Sequence, residues 1–257
     1  MLLLLQYHHI SPIITFNPGT VQKRIFQNHL KELRKHRFTN LEELDSLCSP
    51  KVLERKVLIT FDDGYKSVFE HAYPIMNKYG FKGVVFVVTK YIGKISEWEV
   101  PLLSSLPHLG REEIKTLHKS GWIIGSHSHG HKDLTTLSAQ KLKEEIKTSI
   151  ETLEDILGNR VYTFSYPFGK FNQKVKDVLV ELGIKFAFKS SGKLKFPLDL
   201  LEIPRRSIYL TDFSISLKID TFYNFIEYPK ETISNKFAYL SPIYLKLLKT
   251  FKGNPCD

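Results

Sequence analysis

The chain has 257 residues and carries 37 Lys and Arg against 27 Asp and Glu, a formal charge of +10. Its 42% hydrophobic and 25% charged residues exclude a disordered or low-complexity chain, and the length suits one large domain. Two distant cysteines, Cys48 and Cys256, exclude a disulfide framework and any cysteine-rich zinc or iron–sulfur site.

Short apolar runs alternate with amphipathic stretches along the chain. Met1 to Leu5 is apolar but lacks the cationic start, long apolar core and cleavage site of a signal peptide. No run approaches the roughly 18 to 20 apolar residues of a membrane helix. The expected setting is cytoplasmic or membrane-peripheral, with export left open. Leu2 to Tyr7 reads as a strand, and Val21 to His36 places Ile25, Phe26, Leu30 and Leu33 on one helical stripe. Val57 to Phe61 is a β-branched run that stops at Asp62-Asp63-Gly64. Val68, Ala72, Ile75, Met76 and Tyr79 then recur at helical spacing up to Gly80.

Gly83 to Val88 is a second buried strand, Arg111 to Lys119 a helix, and Gly121 to Gly125 a strand running into a histidine cluster. Ser138 is placed to cap a long helix ending at Leu157, with Gly158 as its stop. Val161 to Ser165, Lys185 to Phe188 and Arg206 to Leu210 read as strands, with a helix from Asn172 to Leu182. Strands separated by helices pair in parallel through right-handed crossovers. The expected fold is therefore α/β, a distorted, TIM-barrel-like (β/α) barrel of about seven parallel strands. Residues 1–215 form the domain in this reading, and 216–257 an extension that packs on the barrel. The extension's aromatic, basic stretch 237–252 suits a membrane or partner surface, but Pro242 interrupts it and favours packing.

The lysines are spread along the chain without an arginine-rich run, so the charge reads as a solvated surface and nucleic acid is not an expected partner. Attraction to a membrane surface or an anionic envelope polymer remains open.

Barrel chemistry gathers at the carboxyl ends of the strands. Tyr7-His8, Asp62-Asp63, His127-Ser128-His129-Gly130-His131 and Tyr166-Pro167-Phe168-Gly169 all stand at such ends. Successive strand residues face opposite ways, so Asp62 and Asp63 are expected to do different work: one ligating a cation, the other accepting a proton. His127 and His131, four apart, share a face if their segment turns helically, and His129 points elsewhere. Two imidazoles and a carboxylate make a catalytic zinc set with open positions. A non-haem iron oxygenase centre uses the same donors, but prefers a scaffold other than alternating strands and helices.

These strings resemble the NodB-type polysaccharide deacetylases of carbohydrate esterase family four. Thr60-Phe61-Asp62-Asp63-Gly64-Tyr65, Gly125 to His131 and Tyr166-Pro167-Phe168-Gly169 carry the likeness. Leu5 to Ile10 and Ile203-Pro204-Arg205-Arg206 resemble the poly-N-acetylglucosamine deacetylase subgroup. The resemblance implies metal-dependent removal of acetate from an N-acetylated glycan. Asp63, His127 and His131 would hold a divalent metal, usually zinc, with other transition metals open. Asp62 would be the general base, and Arg205, or else Arg206, would pair with it. The Phe168 N–H, in a turn set by Pro167, would face the oxyanion, and Tyr65, Tyr166 and Phe168 could stack on sugar rings or pack in the core.

The chain departs from the family pattern at two places. Ser165 stands where most members carry Arg, and no histidine follows His131 to act as the acid. In the subgroup a Tyr-His near the N-terminus supplies that acid, which implies His8. The alternatives are an amidohydrolase for a small non-sugar C–N bond and a catalytically silent glycan-binding domain.

Overall fold

The computed structural model describes residues 2–13, 17, 19–45, 55–95 and 106–215. The extension 216–257, with its aromatic and basic stretch, lies outside the described residues.

The first third of the chain forms β1 (Leu2–Tyr7), β2 (His9–Ser11), β3 (Thr20–Gln22), α1 (Lys23–Leu33), β4 (Arg37–Phe38), α2 (Leu41–Asp45) and β5 (Lys56–Phe61). There follow α3 (Tyr73–Lys78), β6 (Gly83–Val87), α4 (Arg111–Lys119), β7 (Ile123–Ser126), α5 (Ala139–Leu157), β8 (Thr163–Ser165), α6 (Gln173–Glu181) and β9 (Phe186–Lys189). The last strands are β10 (Ile203–Pro204) and β11 (Arg206–Ser207). Strands pair in parallel in the order β10-β9-β8-β7-β6-β5-β1-β11, with β4 beside β5.

The two ends of that order are consecutive in the chain, separated only by Arg205. Ile203 pairs with Phe188 on one side, and Arg206 with Leu5 on the other. The sheet thus closes on itself as a barrel of seven strand positions, the last shared by β10 and β11. The expected last strand, Arg206 to Leu210, lies too far along: its pairing ends at Ser207.

Parallel strands covered on both faces must be apolar throughout, and the two-residue period sorts their side chains into two cores. Leu3, Leu5, Tyr7, Val57, Ile59 and Phe61 pack outward with Phe26 and Leu30 of α1 and Leu142 and Ile146 of α5. Leu2, Leu4, Leu58, Val84, Phe86, Phe188 and Ile203 fill the barrel itself. The inward columns turn polar towards the carboxyl ends. Leu2 and Leu4 give way to Gln6, Leu58 to Thr60 and Asp62, and Ile203 to Arg205 and Ser207, each of these polar residues buried. Phe86 takes up so much of the interior that a Cβ on Gly125 would stand 2.6 Å from its ring.

Several elements differ from the sequence reading. α1 starts at Lys23 rather than Val21, because Thr20–Gln22 is drawn into a short parallel pair with His9–Ser11. The periodic stretch from Val68 to Tyr79 divides into a wide π turn over Val68–Ala72 and then α3. α5 is as expected: Ser138 accepts a hydrogen bond from the Lys141 N–H, and Gly158 ends the helix at φ 66°. No helix among the described residues is long and apolar enough to cross a membrane.

Candidate active site

Of the five non-glycine residues with left-handed φ among the described residues, four stand at the barrel mouth: Asp63 (68°), Ser128 (65°), His131 (53°) and Phe168 (60°). Each such residue costs on the order of 1–3 kcal/mol, so its surroundings must hold it there, and such strain clusters at functional sites.

The Asp62 N–H extends the β1–β5 ladder by donating to the Tyr7 carbonyl at 2.9 Å. Asp63 and Gly64 then turn the chain, with Gly64 so tight against β6 that a Cβ would lie 3.2 Å from Val87 Cα. This turn overrides strand alternation. The carboxylates of Asp62 and Asp63 do not part to opposite faces, and both approach the same atom, His127 Nε2, at 4.0 and 3.4 Å. Their remaining partners differ: Asp62 faces a guanidinium and Asp63 a second imidazole.

The segment after β7 does not turn helically. Its two left-handed residues, Ser128 and His131, fold it so that the rings of His127 and His131 lie 5.0 Å apart. His129 turns away, its Nδ1 2.9 Å from Thr89 Oγ1. Asp63 Oδ1 lies 3.4 Å from His127 Nε2 and 3.5 Å from His131 Nε2. Four donors about 2.0–2.1 Å from one tetrahedral ion are separated by about 3.3–3.4 Å, so this spacing fits a single cation. His127 Nδ1 donates to the Ser165 carbonyl at 2.8 Å, which directs the Nε2 lone pair towards Asp63. Burial lowers the pKa of His131 to about 3, which keeps the imidazole neutral. Burial also opposes charge on His127, but Asp62 and Asp63 outweigh it and raise that pKa.

Asp62 accepts four hydrogen bonds: from Gln6 Nε2 (2.8 Å), Ser165 Oγ (2.9 Å), and Arg205 Nη1 and Nη2 (both 2.7 Å). Burial opposes its ionisation, but Arg205 and then His127 outweigh that and hold Asp62 below the usual carboxylate range. Arg205, not Arg206, is the partner. It reaches Asp62 because Ser165, small at the position where a longer cation was the family expectation, accepts its Nη2 at 2.8 Å.

The remaining expected residues separate into two groups. Phe168 lies beside the cluster, its ring centroid 4.6 Å from that of His131, with Pro167 buried next to it. His8 is half-buried, its Nε2 3.5 Å from Gln6 Nε2, and its buried Nδ1 has no hydrogen-bond partner among the described residues. Of the two alternatives for Tyr166 and Tyr65, sugar stacking or core packing, their burial favours packing. Tyr166 is fully buried, stacks on Phe171 at 4.6 Å and donates its hydroxyl to the Leu201 carbonyl at 2.8 Å. Tyr65 is also buried, against the rings of His9 and His108.

A family model described as polysaccharide deacetylase matches residues 49–187, which span β5 to β9 and include both aspartates and both imidazoles. The chain belongs to the polysaccharide deacetylase family. It is 31% identical over 175 residues to the Bacillus subtilis (strain 168) protein YxkH, named for this family, covering 66% of this chain and 58% of that one. It is 28% identical over 193 residues to the poly-beta-1,6-N-acetyl-D-glucosamine N-deacetylase of Staphylococcus aureus (strain N315), covering 69% and 63%. The chain thus spans about three-fifths of the length of these relatives. Two solved structures share the fold. The Streptococcus pyogenes deacetylase PplD in complex with acetate has a TM-score of 0.70 at 24% identity, over 82% of this chain and 93% of that one. IcaB from Ammonifex degensii has 0.71 at 23%, over the same shares of the two chains.

Within this family member, several polar residues of the site were not singled out from sequence. Gln6 interrupts an apolar strand on its inward face, the one local sign of its role. Thr60 accepts Arg205 Nη1 at 2.9 Å, and Ser207 Oγ lies 2.9 Å from Gln6 Oε1. His108, far from any motif, has Nδ1 2.9 Å from the Asp63 carbonyl.

Proposed function

We propose that this chain is a metal-dependent hydrolase that removes acetate from N-acetylated sugars of a glycan or glycoconjugate. The observation that carries the reading is one imidazole nitrogen, His127 Nε2, flanked by two unlike carboxylates. Asp63 joins a three-donor set with His127 and His131, while Asp62 stays outside it, ionised and paired to Arg205. The names of the Staphylococcus aureus relatives support the substrate class.

Asp63, His127 and His131 would hold the cation, and zinc suits two neutral imidazoles and a carboxylate. When bound, such a cation polarises an amide carbonyl and makes water acidic enough to lose a proton near neutral pH. Asp62 takes that proton as the water attacks, and Arg205 keeps the carboxylate ionised and aimed. The Phe168 N–H donates to the oxyanion, a role supported by the left-handed Phe168 whose ring lies beside that of His131. His8 returns a proton to the departing amine, which is too poor a leaving group to depart as an anion. Residues 1–215 constitute the catalytic unit.

Purified protein should contain about one zinc-class ion per chain and release acetate from N-acetylglucosamine oligomers. A chelator should stop the reaction, and added metal restore it. A metal-loaded chain that released no acetate across a panel of N-acetylated glycans, but hydrolysed small amides, would shift the reading to an amidohydrolase. Inactivity on both would leave a glycan-binding domain. For His8→Ala we expect about a 100-fold slower amide reaction. Aryl acetates, whose leaving group needs no proton, should be cleaved at nearly the normal rate. An unchanged amide rate removes His8 from the reaction.

A further inference from the structure

One buried acid near the site has no part in the chemistry above. Glu145 lies on the inward face of α5, its side chain only 4% exposed, and points at the His127–His131 segment. Its carboxylate accepts the Gly130 N–H and lies 2.9 Å from Lys132 Nζ. Gly130 and Lys132 are the immediate neighbours of His131 in sequence, so the carboxylate holds the backbone on one side of that imidazole and the ammonium of an exposed lysine side chain on the other. The fit is close: a Cβ on Gly130 would stand 3.3 Å from Glu145 Oε1 and 3.4 Å from Lys132 Cε.

The rest of the segment is anchored in the same direction. Ser149, one turn further along α5, meets Ser126 hydroxyl to hydroxyl, and Ser126 Oγ accepts the Ser128 N–H at 3.2 Å. Ser128 Oγ in turn accepts the His131 N–H at 3.0 Å. The N–H groups of Ser128, Gly130 and His131 thus all end on side-chain oxygens. Two of those three residues have left-handed φ, a conformation that persists only where the surroundings hold it.

We propose that Glu145 is the positioning residue for His131. By fixing Gly130 and Lys132 it keeps the left-handed turn that brings His131 Nε2 within 3.5 Å of Asp63. Metal affinity then depends on a carboxylate that is not a ligand. This rests on reading Asp63, His127 and His131 as the metal site.

The test is Zn²⁺ affinity of the full chain against a competing chelator, with Co²⁺ absorption as the signature of coordination. The unaltered chain should bind one ion, and failure to do so overturns the metal reading itself. In Glu145→Ala, affinity should fall about 10- to 100-fold and the Co²⁺ bands should change, as when a ligand's hydrogen-bonded support is removed. Glu145→Gln keeps an oxygen for the Gly130 N–H and should recover most of that affinity. A merely structural role would lower the melting temperature while leaving the affinity and Co²⁺ spectrum of the folded protein unchanged, and that result overturns the proposal. Should Glu145→Ala fail to fold, Gly130→Ala crowds the same carboxylate from the other side. Its affinity should also fall, and an unchanged value overturns the proposal equally.

Discussion

Replacing Asp62 by Asn should slow acetate release by about 10²- to 10⁴-fold, the usual contribution of a general base, while the chain still takes up its cation. Metal uptake should survive because none of the three candidate ligands is altered, and Asp62 Oδ2 comes no closer than 4.0 Å to His127 Nε2. Turnover should not survive, because an amide cannot accept the proton of the attacking water. The substitution also opposes like groups. Every hydrogen bond that Asp62 accepts is donated to it by Gln6, Ser165 or Arg205, and an Asn NH₂ would face those donors. Some loss of stability should therefore accompany the loss of rate. Metal content and a melting curve on the sample used for kinetics separate the two. Activity within about tenfold of the unaltered chain would place the base elsewhere.

What could be read in advance divides along a physical line. β1, β5, β6 and β9 were visible because strands buried on both faces show as continuous apolar runs. α5 was visible because Ser138 and Gly158 punctuate it at both ends. The aspartates and histidines stood out as polar residues at the ends of such runs. The closing strand was misplaced by a few residues because Ile203 to Ser207 has no apolar run to announce it. It contributes two paired residues to each neighbour and sets a buried arginine between them. Turn geometry was equally hidden. Four-residue spacing suggested a helical turn for His127 and His131, whereas two left-handed residues achieve the proximity. The supporting residues Gln6, Ser165, His108 and Glu145 matter through partners distant in sequence, which no local pattern displays. Tyr166 shows the converse: an aromatic residue in a motif that packs in the core.

Arg205→Met should be the most destabilising single change at the site, costing about 3–5 kcal/mol, the range for removing one partner of a buried ion pair. Arg205 is 1% exposed, and its five N–H groups all have acceptors. Nη1 reaches Asp62 Oδ1 and Thr60 Oγ1, Nη2 reaches Asp62 Oδ2 and Ser165 Oγ, and Nε lies 3.5 Å from the Lys189 carbonyl. Its guanidinium carbon also lies over the rings of Phe86 and Phe188, at 5.3 and 5.5 Å. Methionine can fill much of the space between the two rings, but it leaves the Asp62 carboxylate buried with only Gln6 and Ser165 as donors. Lysine would restore the charge without the paired geometry that engages both carboxylate oxygens. The melting temperature should fall by roughly 10 °C for a domain of this size. The pH dependence supplies the sign. In the unaltered chain the depressed Asp62 pKa gives stability above about pH 3.9, the unfolded value, that is lost on acidification. Without Arg205, burial instead raises that pKa, so lowering the pH neutralises the orphaned carboxylate, and the gap between variant and parent should narrow. Adding Asp62→Leu to Arg205→Met should also recover stability, since both charges are then gone. If Arg205→Met melts with the parent at neutral pH, the ion pair does not hold the barrel closed at this strand.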